Sequence, residues 1–110
     1  MRQLLIDDLS REERDNIESY LKRTLRPALI KDMFWLLLPD DLLGEAQLGH
    51  EACGPFCFGV ELGKDLVSFE LLVRSESNLH CSCINYASRA QRDFVLGFID
   101  RMVVAEKIRA

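Results

Sequence analysis

No stretch of this chain is apolar for long enough to cross a bilayer. The longest uninterrupted run, Met33 to Leu38, has six residues, against the ~20 that a spanning helix requires. The wider segment Ala28 to Leu38 is broken by Lys31 and Asp32, so no membrane partner is expected. The amino terminus offers only Leu4, Leu5 and Ile6 before two acids. It lacks the apolar stretch of a secretory leader, which leads us to expect a cytoplasmic protein. Positive charge is also scarce: 14 Lys and Arg stand against 18 Asp and Glu, a net charge of −4. Such a field repels phosphate backbones, and nucleic acid is not expected as a partner. The glycines at 44, 49, 54, 59 and 63 fall in no phosphate-cradling pattern. No nucleophile elbow is present either, so the sequence offers no local signature of catalysis. Cysteine and histidine are missing everywhere except between His50 and Cys83.

What is present describes an ordered α+β domain. The 110 residues are 48% hydrophobic and 29% charged, ordinary values for one globular domain spanning 1–110. Ser10 with Glu13 forms a capping box that opens a helix, with Ile17, Tyr20, Leu21 and Leu25 on one face. Pro27 closes it. The apolar segment 28–38 is ambiguous between buried strand and buried helix. The spacing of Leu29, Met33, Leu36 and Leu37 favours a second helix ended by Pro39. A short helical turn from Asp40 to Leu43 and an irregular loop through Gly54-Pro55 follow.

From Phe56 the period becomes two. Phe56, Phe58, Val60 and Leu62 alternate, then Val67, Phe69, Leu71 and Val73, which predicts a hairpin; Leu79 to Tyr86 is expected as a third strand. Ser88 with Gln91 is a second capping box. The helix it starts carries Phe94, Val95, Phe98, Ile99, Met102 and Val103 as a stripe that should cover the sheet. The expected fold class is therefore α+β, two-layer, with an antiparallel meander of three or more strands packed on helices in the order α-α-β-β-β-α. Leu96 and Val104 lie off the stripe and, with Phe34 and Trp35, are the candidates for an interface.

His50, Cys53, Cys57, Cys81 and Cys83 are the candidate metal ligands, and zinc is the cofactor that this donor set would take. Their spacing is unlike that of common zinc knuckles. On a strand Cys81 and Cys83 would point together into the core as small hydrophobes. Cys57 and Cys83, on the outer strands of a meander, would stand ~9.6 Å apart. Cys53-Gly54-Pro55-Phe56-Cys57 resembles the thioredoxin Cys-Gly-Pro-Cys motif. It has one residue too many and precedes a strand instead of a helix, so thiol acidification by a helix terminus is not expected. His80 beside Cys81 would face the other side of a strand and make no dyad.

These readings leave a small acidic, non-enzymatic protein-interaction or self-associating domain, of adaptor or chaperone type, as the expected function, with no resident cofactor. A protein partner, most simply a second copy in a homodimer, is the expected ligand. Size, acidity and helix-sheet-helix order resemble those of the acidic secretion chaperones. Metal-binding or thiol-redox chemistry in the His50 to Cys83 region is the alternative.

Overall fold

Ser10 Oγ accepts from the Glu13 N–H while Glu13 Oε1 accepts from the Ser10 N–H, and α1 (Arg11–Thr24) starts from that reciprocal cap. The structure, a computed structural model, describes residues 2–110. Burying Ile17 and Leu21, α1 ends where Leu25 turns extended and leads into a two-residue strand, β2 (Arg26–Pro27).

The segment expected as a second helix is instead a reversal followed by β3 (Met33–Leu37). The Ala28 N–H donates to the Met33 carbonyl, and Asp32 adopts φ 64 to close the turn, a conformation that Asp tolerates better than most residues. Phe34, Leu36 and Leu38 are buried, while Met33, Trp35 and Leu37 face the opposite side. Both faces are apolar, so the period of two is invisible in the sequence.

β4 (Phe56–Leu62) pairs with β3 and, through its second half, with β5 (Val67–Glu70). Its first half pairs with β6 (Leu72–Ser75). The expected single strand over Val67 to Val73 is thus interrupted at Leu71. There the N–H donates to the Arg2 carbonyl and the carbonyl accepts from the Ala87 N–H.

Those two bonds attach two short outer strands. β1 (Gln3–Ile6), which the sequence reading did not anticipate, lies along β5; β7 (Asn85–Tyr86) lies along β6. Among the described residues all seven strands pair antiparallel, in the order β1-β5-β4-β3-β2, with β6 beside β4 and β7 beyond it. Only Asn85 and Tyr86 of the expected third strand are extended. Residues 79–84 form turns, with the Ile84 N–H bonding to the Cys81 carbonyl.

The Ser88–Gln91 capping box is formed and starts α2 (Arg89–Ala105). Its buried Val95, Phe98, Ile99 and Met102 meet the sheet, and the Phe98 ring lies 5.8 Å from Tyr20 and 6.0 Å from Phe69. The α+β class and the antiparallel sheet covered by helices are as expected. The order β-α-β-β-β-β-β-β-α replaces α-α-β-β-β-α because the second helix is a strand, the Val67–Val73 strand is split into β5 and β6, the third strand shrinks to β7, and β1 and β2 are added. Among the described residues, no helix is long and apolar enough to cross a membrane.

The face opposite the helices is tight at one point. A Cβ on Gly59 would come within 2.8 Å of Glu70 Oε1. That carboxylate is held by Arg74 through two bonds, 2.7 and 2.9 Å long, so glycine here makes room for an ion pair lying across the strand.

Candidate metal centre

Two loops meet at one end of the sheet: residues 38–55 between β3 and β4, and residues 76–84 between β6 and β7. Loops carry backbone groups that no ladder satisfies, and here buried side chains take that role. Gln47, 2% exposed, donates from Nε2 to the Cys83 carbonyl at 2.8 Å. Its Oε1 accepts from the Gly44 N–H at 2.9 Å and from Gln91 Nε2 at 3.1 Å. Gln91 Nε2 also donates to the Leu42 carbonyl, while Gln91 Oε1 accepts from the Ser88 N–H. One carboxamide pair therefore joins the first loop, the second loop and the start of α2.

A second set of bonds fixes the turn Glu51–Cys53. The hydroxyl of buried Ser75 donates to the Cys53 carbonyl and accepts from the Asn78 N–H. Ser77 Oγ donates to the Ala52 carbonyl, and the Cys53 N–H reaches back to the His50 carbonyl at 2.8 Å. Cys53 and His50 are thus anchored to β6 by its own end and by the turn that follows it.

Within this frame His50, Cys53, Cys81 and Cys83 converge, one ligand atom from each lying within 4.8 Å of all the others. His50 Nδ1 is 3.3 Å from Cys81 Sγ. Four of the five sequence candidates are therefore together. Cys57 is not one of them: it lies in β4 opposite Leu37 and Arg74. Its buried sulfur approaches the Arg74 carbonyl at 3.9 Å, and burial pushes its thiol up to about 11. This separates Cys57 from Cys53, so the thioredoxin-like spacing brings no pair of sulfurs together. His80 is exposed, and the imidazole that reaches Cys81 comes from His50.

The interface candidates divide as well. Phe34 is 4% exposed and belongs to the core, whereas Trp35 is half-buried on the opposite face. Leu96 and Val104 are exposed on α2.

The electrostatics of the cluster oppose two neighbouring sulfurs. Hydrogen bonds from Cys83, first its N–H and then its thiol, with smaller contributions from Cys53 and His50, draw the Cys81 thiol down to about 6. Burial, reinforced by the Cys81 and Cys53 sulfurs, pushes Cys83 up to about 12. A thiolate beside a buried thiol is a poor arrangement for further ionisation, because each added negative charge repels the last. A soft divalent cation reverses that logic and deprotonates a coordinating thiol outright.

Geometry and donor chemistry suit zinc. Three thiolates and one imidazole are a common structural set, with Zn–S ≈ 2.3 Å and Zn–N ≈ 2.0–2.1 Å, which corresponds to tetrahedral edges of roughly 3.5–3.8 Å. The widest separation here, at most 4.8 Å, closes to that with a contraction of about 1 Å.

Gln47 was not anticipated, since an isolated glutamine between glycines carries no sequence signal; Gln91 was visible only as a cap. Gln47→Leu removes the donor to the Cys83 carbonyl and the acceptor for Gly44 and Gln91. It is expected to cost about 2–4 kcal/mol, from groups left buried without partners, and to weaken metal binding by about 10–100-fold. Urea denaturation and a chelator titration check both. A stability loss under ~1 kcal/mol with unchanged affinity shows that the pair does not hold the loops.

A separate concavity of about 450 Å³ on the open sheet face is lined by Arg26, Leu29, Trp35, Cys57, Arg74 and Leu79, among others. Both arginines are engaged, Arg26 with Glu76 and Arg74 with Glu70. Comparison with known proteins returns no matching family model, no matching curated protein and no matching solved structure.

Proposed function

We propose that this protein is a zinc-binding domain in which His50, Cys53, Cys81 and Cys83 hold one ion in a closed, structural site. The observation that supports this most directly is the convergence of four soft ligand atoms within 4.8 Å from two different loops. Part of the case against zinc made from spacing was that Cys81 and Cys83 lie in a strand; they lie in a turn, where neighbouring residues need not alternate between faces.

Four protein ligands fill a tetrahedral zinc ion and leave no position for water or substrate. The ion on this reading acts by joining loops. It clamps the turn before β4 to the turn before β7, at the end of the sheet where Gln47 and Ser75 already hold the backbone. Binding releases thiol protons and so weakens as pH falls.

The test is metal analysis of protein produced with zinc and freed of loosely bound ions. About one zinc per chain is expected, retained in Cys57→Ser and lost in Cys83→Ser. Cobalt substitution adds the absorption of tetrahedral thiolate ligation. Protein that takes up neither zinc nor cobalt at micromolar concentration overturns the proposal, and so does equal metal content in the two variants.

A further inference from the structure

The two edges of the sheet are built differently. At one edge lies β2, where Pro27 has no N–H and Arg26 adds charge, both of which discourage strand addition. The other side is edged by the two-residue β7 along β6 and by β1 along β5, Gln3-Leu4-Leu5-Ile6, the longer of the two and without proline or lysine. The register shows which of its groups are free. The Leu71 N–H donates to the Arg2 carbonyl and Leu4 stands opposite Phe69, so the backbone groups of Arg2, Leu4 and Ile6 point at β5. Those of Gln3 and Leu5 point outward, where no strand among the described residues pairs with them. Leu5 is 48% exposed and so is Leu96 at 46%. Leu4, Ile6, Leu96, Ile99 and Val103 line one groove between β1 and α2.

We infer that β1 pairs antiparallel with β1 of a second copy of this chain, extending the sheet across a twofold axis at Leu5. The charge pattern selects this occupant. Arg2 precedes the strand, and Asp7 and Asp8 follow it. Outward-facing residues must meet outward-facing residues, which admits the register that sets Leu5 against Leu5 and Gln3 against Asp7 of the second copy. In that register Arg2, whose guanidinium lies over the Tyr86 ring, comes to the end where Asp7 and Asp8 of the second copy leave the strand, twice by symmetry, and Leu4 faces Ile6 of the second copy on the core side. Parallel pairing would instead bring the acids of the two copies together. An isologous contact of this kind closes on itself and leaves neither β1 edge free. The same axis brings the two α2 helices side by side, so that Leu96 in each groove is covered. This inference stands apart from the metal site, which lies in other loops.

Sedimentation equilibrium of the full chain, with and without Leu5→Lys, is the test. A dimer is expected, with Leu5→Lys raising its dissociation constant about 100-fold by setting two ammonium groups at the axis. The Leu5 N–H points away from β5 and has no acceptor among the described residues, so hydrogen exchange at that amide gives a readout that needs no variant. Slow exchange that quickens on dilution supports the pairing, even where Leu5→Lys proves too unstable to use. A wild-type chain that stays monomeric at ~100 μM, a dimer unaffected by a folded Leu5→Lys, or fast exchange at Leu5 in the dimer overturns it.

Discussion

If zinc occupies the cluster as proposed, stripping it is expected to lower the thermal midpoint of this protein by roughly 15–30 °C. A ligand bound only to the native state at a thousandfold over its dissociation constant adds about 4 kcal/mol, and each kcal/mol moves the midpoint of a domain of this size by about 4–8 °C. The effect should be large here because the four ligands come from two loops separated by β4, β5 and β6. Without the ion those loops retain Gln47, Ser75 and Ser77 as ties, so the apo protein is expected to keep its sheet and melt early. Scanning calorimetry with zinc and with excess chelator measures this. Cys83→Ser should melt like the apo form and ignore added zinc, whereas Cys57→Ser should respond as the wild type does. Coincident melts of the two states, with metal shown to be bound in one, would show that the ion does not stabilise the fold.

Phe34→Asp is expected to abolish folding, while Trp35→Asp leaves a folded chain. Although the residues are neighbours, β3 sends Phe34 into the cluster with Phe58, Val60 and Ile17 and Trp35 to the opposite face, where it is half-buried. Truncating a buried phenylalanine already costs about 3–5 kcal/mol, and an unpaired carboxylate in that place adds a desolvation penalty of several more. The sum is comparable with the whole stability of a small domain, about 5–15 kcal/mol. Circular dichroism and a urea melt of both variants decide it. A folded Phe34→Asp would mean that Phe34 is not core, and an unfolded Trp35→Asp that the open face carries more of the packing than its exposure indicates.

The capping boxes were readable because they are local: Ser10 with Glu13 and Ser88 with Gln91 each need only four residues and a helix turn. The β4–β5 hairpin was readable because one face is apolar and the other is not. β3 was misread for the converse reason, since Trp35 and Leu37 on its open face are as apolar as Phe34 and Leu36 on its core face. β1 was missed because four residues carry almost no periodic information, and its pairing with β5 spans most of the chain. The metal candidates were named from residue type alone. Their convergence was hidden by assigning residues 79–86 to a strand, where alternation would have separated His80 from Cys81 and sent both cysteines into the core. In the turn, the backbone instead brings Cys81 and Cys83 to His50 and Cys53.

By itself the sequence determined the α+β class, both α-helix starts, the alternation of the hairpin strands and the set of donors available to a soft metal. Helix caps and strand alternation act between near neighbours, over distances that a sequence window covers. Only the tertiary structure decided which four of five donors meet, that Cys57 is buried apart from them, that Gln47 holds the two loops together, and that β1 lies on an edge of the sheet. Each of these depends on contacts between segments far apart in the chain. Such contacts are set by how the sheet and helices pack as a whole, and no local pattern records them.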